Sequence, residues 1–286
     1  MMKKALVLGA SGGMGYALVC KLVERGVEVV AFARSKDKLQ RLFGDMNGVS
    51  IVPGDVFDDE QLVAAGRGAD VIFHSVNIPY PQWYDGLPRV MDNVLRCAEV
   101  NQAGVVYIDN IYAYGRSNGE KVTEDTPKRP HTKKGKLRLQ LEQKVMEAHR
   151  RGVPALIAHF PDFYGPNAEN TILNFTLSSM LLNRSPRFVG PLDVKREYIY
   201  TPDGAKAAVE LAVRESAYGQ HWNIPGYGVI SGHELIELVR KMTGNRKKVS
   251  TVGKRMISFL GLFNRGMREV AEMLYLTEEP VVLSGE

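Results

Sequence analysis

Along the first 165 residues, short runs that are apolar on both faces alternate with longer amphipathic stretches. This alternation constrains the fold more than any other feature of the chain. The runs cover 5–8, 27–32, 49–52, 71–74, 105–108 and 155–158, and all are rich in Val, Ile, Leu and Ala. Between them the periodicity predicts helices over 13–25, 36–43, 58–65 with Asp58 as cap, 87–101 and 136–151. A strand that is apolar on both faces must be covered on both faces, which requires a parallel sheet between two helix layers. The expected fold class is therefore α/β with a doubly wound parallel sheet, and such sheets bind ligands at the carboxyl ends of their strands.

After residue 165 the pattern changes. Helices are expected over 172–182, 203–213 with Asp203 as N-cap, 233–242, and 256–275 with a break near Asn264. Short extended pieces at 187–189 and 221–224 interrupt them. This divides the chain into a dinucleotide-binding part, 1–165, and a smaller, mostly helical substrate lid, 166–286, interleaved with the end of the first. Ile257, Phe259, Leu260, Leu262, Phe263, Met273 and Leu274 can pack the lid, cover a substrate pocket or form a homodimer contact; core packing is the expectation.

Composition serves mainly to exclude. In 286 residues, 44% are hydrophobic and 24% charged, which rules out a disordered chain. The two cysteines, Cys20 and Cys97, form no CxxC pair, so neither a zinc site nor a disulfide framework is expected. No run approaches the roughly 18 apolar residues of a membrane span. The N-terminal apolar run breaks at Gly9, as a first strand does and a signal peptide does not, so a reducing, cytoplasmic compartment is expected. The net charge is +5. The densest basic cluster, Lys128, Arg129, Lys133, Lys134, Lys136 and Arg138, lacks the interleaved aromatics that stack on bases. It reads as a solvated or anion-binding surface, with no nucleic-acid partner, no membrane partner and a small-molecule substrate instead.

Directly after the first strand comes Gly9-Ala10-Ser11-Gly12-Gly13-Met14-Gly15, with glycines at GxxGxxG spacing. Gly9 allows the tight turn, Gly12 lets backbone approach a pyrophosphate, and Gly15 lets the helix pack on the strand, while the helix N-terminus supplies amide donors. At the start of a βαβ unit this reads as a dinucleotide site. At the tip of the second strand, where an acid usually holds the ribose of NAD, the chain reads Ala33-Arg34-Ser35. A guanidinium there offers a planar fork for a 2′-phosphate, so NADP is expected rather than NAD.

With these features the chain resembles the extended short-chain dehydrogenase/reductases, the NAD-dependent epimerase/dehydratase family. The resemblance rests on the glycine turn, on Gly54-Asp55-Val56, on Val71 to Asn77, on Asp162-Phe163-Tyr164-Gly165-Pro166, and on Arg196-Glu197-Tyr198 running to Asp203. It implies a Rossmann domain with cofactor contacts at Gly9, Ser11, Gly12, Gly13, Met14, Arg34, Asp55, Val56 and Ser75. It also implies a substrate contact at Arg196, which in nucleotide-sugar members faces a phosphate. The family's catalytic Ser/Thr, Tyr and Lys are all replaced: none of the twelve tyrosines has a lysine four residues on. Matching Glu142 and Gly115 to the family pattern puts Asn110, Lys134 and Arg138 in the three slots. Lys134 would then need a depressed pKa to serve as an acid. Tyr112 or Tyr114 is the alternative proton donor, and an NADP-binding sensor without turnover is the alternative to an oxidoreductase or epimerase-like enzyme.

Overall fold

The computed structural model describes residues 2–169 and 171–285. In chain order its first half contains β1 (Lys4–Leu8), α1 (Gly13–Glu24), β2 (Glu28–Ala33), α2 (Lys36–Phe43), β3 (Val49–Pro53), α3 (Asp59–Ala65), β4 (Val71–His74), α4 (Trp83–Asn101), β5 (Gly104–Asn110), β6 (Lys121–Val122), α5 (Lys133–Arg150), β7 (Ala155–Phe160) and β8 (Asp162–Tyr164). There follow α6 (Ile172–Leu181), β9 (Arg187–Val189), β10 (Lys195–Tyr200), α7 (Thr201–Ala212), β11 (His221–Asn223), β12 (Val229–Ser231), α8 (Gly232–Thr243), β13 (Ser250–Val252), α9 (Lys254–Gly261), α10 (Arg265–Met273), α11 (Tyr275–Glu278) and β14 (Val282–Leu283).

Seven strands form one parallel sheet in the order β11-β7-β5-β4-β1-β2-β3. The chain winds outward from β1 through β2 to β3, returns to β4, and winds the other way. Between β1 and β4 the direction reverses, and there the carboxyl ends open a crevice. In register, Val7 lies beside Ala31 and Phe73. One apolar layer packs Leu18, Leu22, Leu39, Phe43 and Val209 against Val7, Ala31 and Phe73. The other packs Leu62, Val90, Val94, Leu141 and Val145 against Leu6, Leu8, Ile72 and Val105. A fully buried Leu or Val in either layer contributes about 1.5–3 kcal/mol. No helix of the described residues is long and apolar enough to cross a membrane.

Three expectations are corrected. α4 begins at Trp83, not 87, although this puts Pro88 inside the helix; Trp83 is buried and donates Nε1–H to Ile78 O at 2.7 Å, so tertiary packing overrides the proline. α7 begins at Thr201 with Tyr200 as N-cap, so Asp203 lies in the first turn instead of capping it. Pro202 presets that turn, and the acid complements the helix dipole. The piece at 221–224, read as an interruption of the helical half, supplies the seventh strand, His221 pairing with Ile157. The break near Asn264 is present, Asn264 capping α10 by accepting from Met267 N at 3.1 Å.

Candidate functional site

At the glycine turn, Gly9 adopts φ +77° and donates its amide to Phe32 O at 3.0 Å. Gly12 closes the loop onto Gly9 O at 2.9 Å. A Cβ on Gly15 would lie 2.2 Å from Gly9 O, so helix and turn meet here without space for a side chain. α1 starts with Gly12 as N-cap and has no side-chain cap, so its first-turn amides are free to bind an anion. The pyrophosphate of NAD(P) fits this cradle. The segment after β8 closes one side: Asn167 Nδ2 donates to Ser11 O at 2.8 Å, and a Cβ on Gly13 would come within 2.8 Å of Ala168.

At the tip of β2, Ala33 ends the strand and Arg34 is exposed, without an ion-pair partner among the described residues. Ser35 Oγ caps α2 by accepting from Lys38 N at 3.2 Å. Asp55 Oδ1 accepts from Phe57 N at 3.0 Å, and buried Val56 accepts from Asn93 at 2.9 Å, which together fix the turn after β3. Ser75 donates its hydroxyl to Leu8 O at 2.7 Å, tying β4 to β1 beside the crevice.

Further along the crevice, Asn110 ends β5 and accepts from Tyr112 N at 3.0 Å through Oδ1, which leaves its amide NH2 as a donor. The hydroxyls of Tyr112 and Tyr80 are 2.8 Å apart. Burial pushes the Tyr112 phenol well above its ordinary range and raises Tyr80 as well; the positive charge of Arg138 opposes both shifts.

Lys134 and Arg138 share one face of α5, as their spacing predicts, and both are buried. Arg138 donates to Tyr107 Oη at 2.7 Å and to Asp109 Oδ1 at 3.0 Å, and its guanidinium lies 4.3 Å above the Trp83 ring. Its Nε and the second Asp109 oxygen have no partner among the described residues. Lys134 Nζ ion-pairs with Glu269 and, at 2.6 Å, with Glu272, both on α10. Glu272 also accepts from the Lys133 amide, at the helix end that Thr132 caps. Burial alone would lower the Lys134 pKa, but the two carboxylates outweigh it and the ammonium is held above its ordinary value. The expected depressed, acid-ready lysine is therefore corrected: the anion that Lys134 needs comes from α10.

The basic cluster at 128–138, read as a solvated or anion-binding surface, is solvated only at Arg129, Lys133 and Lys136. Lys134 and Arg138 are buried, and Lys128 ion-pairs with Glu142, which also meets His159 Nε2 at 3.0 Å. Asp109, Glu142 and His159 form a buried group of metal-binding types, but Arg138 and Lys128 already neutralise its carboxylates. Tyr114 donates to Asn223 Oδ1 at 2.7 Å and packs on the His159 ring.

Arg196 on β10 is buried over the Phe188 ring, donates to Pro191 O at 3.4 Å, and leaves Nε without a partner. The surface salt bridge that a lone arginine usually makes is absent among the described residues. β8 pairs Asp162 with Tyr198, two positions along from Arg196. Burial pushes the Tyr198 phenol up to about 12. Sequence reasoning missed Tyr80, Glu269 and Glu272. Only the i,i+3 spacing of the two glutamates on one helix face was a visible signal.

A seven-stranded parallel sheet with an anion cradle at its switch point defines a doubly wound α/β protein of the dinucleotide-binding class. Residues 5–225 match the model of the NAD dependent epimerase/dehydratase family, and the chain belongs to that family. Among solved structures it is similar to UDP-glucuronic acid 4-epimerase from Bacillus cereus in complex with NAD, with a TM-score of 0.77 and 20% identity over 87% of each chain. It is also similar to dTDP-glucose 4,6-dehydratase from Bacillus anthracis in complex with NAD, with a TM-score of 0.77 and 16% identity over 98% of each chain. At such identity the likeness carries the fold alone. Among curated proteins, 2-alkyl-3-oxoalkanoate reductase of Stenotrophomonas maltophilia is 34% identical over 119 residues, 41% of this chain and 30% of the relative. Very-long-chain 3-oxoacyl-CoA reductase of Bos taurus is 24% identical over 130 residues, 40% of this chain and 42% of the relative. The match to these curated relatives spans less than half of their length.

Proposed function

We propose that this chain is an NADP-dependent oxidoreductase of the epimerase/dehydratase type, acting on a carbonyl or hydroxyl of a sugar-related or other small molecule. The observation that carries the reading is the glycine cradle with exposed Arg34, and no acid, at the tip of β2. In this reading the turn from Gly9 through Ser11, Gly12 and Gly13 to Met14 holds the pyrophosphate, and Arg34 takes the 2′-phosphate. Asp55 and Val56 flank the adenine, and Ser75 lines the crevice. When bound, the nicotinamide accepts or supplies hydride at the reacting carbon.

Asn110 donates its amide N–H to the substrate oxygen. Tyr112 holds the exchangeable proton in preference to Lys134, because the two glutamates of α10 already hold the lysine's ammonium. Tyr80 extends the hydrogen bond behind Tyr112, and Arg138 lends the phenols positive charge. Arg196 offers its unpartnered Nε to the substrate. The relatives above are named for nucleotide sugars and 3-oxo acyl compounds, which share a ketone or secondary alcohol. The engaged Lys134 also favours a second reading, an NADP-binding sensor without turnover.

The test is calorimetric titration with NADPH and NADH, then nicotinamide absorbance over a panel of ketones, aldehydes and nucleotide sugars. NADPH should bind more tightly, Arg34→Ala should lose about tenfold in NADPH affinity, and Tyr112→Phe should lose turnover while binding NADPH normally. Tighter NADH binding, or an unchanged Arg34→Ala, overturns the NADP assignment. Firm NADPH binding with no turnover on the panel supports the sensor.

A further inference from the structure

Between Glu237 and Glu269 the chain runs for 31 residues without an acid and carries nine lysines and arginines. The remaining residues hold 28 cations against 32 acids, a net charge of −4 in a chain whose total is +5. The positive balance of the protein is thus concentrated in one stretch, from the end of α8 through β13 and α9 into α10.

α9 and α10 pack as a tight hairpin: Arg268 Nε donates to Gly261 O at 3.1 Å, and a Cβ on Gly261 would fall 2.9 Å from the Arg268 backbone. α9 buries only Ile257 and Gly261. Core packing, the sequence expectation, holds for Ile257, Met273 and Leu274 but fails at the hairpin tip. There Phe259, Leu260, Leu262 and Phe263 are 61%, 44%, 68% and 80% exposed, the two phenylalanine rings 5.6 Å apart. At the foot of α9, Lys254 and Arg255 are exposed with no ion-pair partner among the described residues, as are Lys247 and Lys248 ahead of β13.

A cluster of large apolar side chains in water needs an occupant. A second copy of this surface would bring its unpaired Lys247, Lys248, Lys254 and Arg255 against their like. A nucleic acid would take the cations but offers nothing to Leu260 and Leu262, which cannot stack on bases. An anionic lipid surface suits both, with the apolar tip in the acyl boundary and the cations among the headgroups. We propose that the α9–α10 hairpin docks the protein on anionic bilayer surfaces. Docking of this kind needs no spanning helix. It also bears on the crevice, because α10 carries the two glutamates that hold Lys134.

The test is co-sedimentation of the full chain with phosphatidylglycerol-containing vesicles and with pure phosphatidylcholine vesicles. At low salt, binding to the anionic vesicles should be at least tenfold stronger and should fall as salt rises. Lys254→Glu/Arg255→Glu and Leu262→Asp/Phe263→Asp should each lose it, while keeping the circular dichroism and NADPH affinity of the parent. Equal binding to both vesicles, or undiminished binding by either folded variant, overturns the proposal. So does a dimer dissolved by the tip variant without vesicle binding, or tighter binding to duplex DNA than to the anionic vesicles.

Discussion

The three glycines of the GxxGxxG turn do different work, and the structure separates them. Gly15 faces backbone on every side: a Cβ would lie 2.2 Å from Gly9 O and 2.8 Å from Ala10 Cα. Gly15→Ala must therefore open the turn itself, and is expected to cost about 2–4 kcal/mol, read as a lower urea midpoint. At Gly12 the nearest atom to a Cβ is 3.4 Å away, an ordinary contact. Gly12→Ala should keep the parent's midpoint and lose NADPH affinity, because under the proposed function its side chain would meet the pyrophosphate. Equal loss of stability in both variants would mean that Gly12, too, serves the fold. The tight turn at Gly9 and the close approach at Gly15 were legible in the sequence because glycine's freedom is local. The protonation state of Lys134 was not legible, because it depends on residues more than 130 positions away.

Among the elements, the contact of α10 with α5 changes most what the crevice can do. Lys134 is fully buried at the side chain, while Glu269 and Glu272 are 19% and 23% exposed, so water softens but does not erase their attraction. Replacing both acids, Glu269→Gln/Glu272→Gln, leaves a buried ammonium without a counter-ion, and about 2–3 kcal/mol should be lost at neutral pH. The pH dependence should change sign. In the parent, the folded Lys134 pKa is raised. Its contribution is therefore complete below the ordinary lysine value near 10.4 and is lost only as pH rises through the higher folded value. In the variant, burial acts alone and lowers that pKa, so the folded state sheds its proton first and stability rises with pH. Thermal unfolding at pH 7.5 and 9.5 reads the difference; a variant that gains nothing between them counts against the clamp. The sequence showed that Lys134 and Arg138 share a face, since helical spacing is local. Which element covers that face is a tertiary fact, as is the early start of α4 at Trp83.

For the whole molecule, the alternation of apolar runs revealed six strands of the sheet. The seventh escaped because it is three residues long and lies some 60 residues beyond β7, where only its pairing with Ile157 and His159 identifies it. The sheet it completes buries titratable groups, and these make global stability depend on pH. His74, on the central strand β4, is stacked 5.2 Å from Tyr107 with Nδ1 unpartnered. Burial, with help from the nearby Arg138 charge, lowers its pKa to about 3. The unfolded chain takes up this proton near the ordinary value of 6.5 and the folded protein does not. The unfolded state therefore binds more protons between those values, and stability falls as pH drops through the window, by up to about 1.4 kcal/mol per unit. His221, lowered mainly by desolvation, adds in the same direction. Glu142, held below the usual carboxylate range by His159 and Lys128 in spite of burial, adds a further loss only below about pH 4.5. His74→Gln should thus flatten the fall of the unfolding temperature between pH 6.5 and 4.5, leave the residual slope of His221, and keep the steeper loss below pH 4.5. If the variant retains the full slope of the parent, His74 is not the group that unfolding protonates.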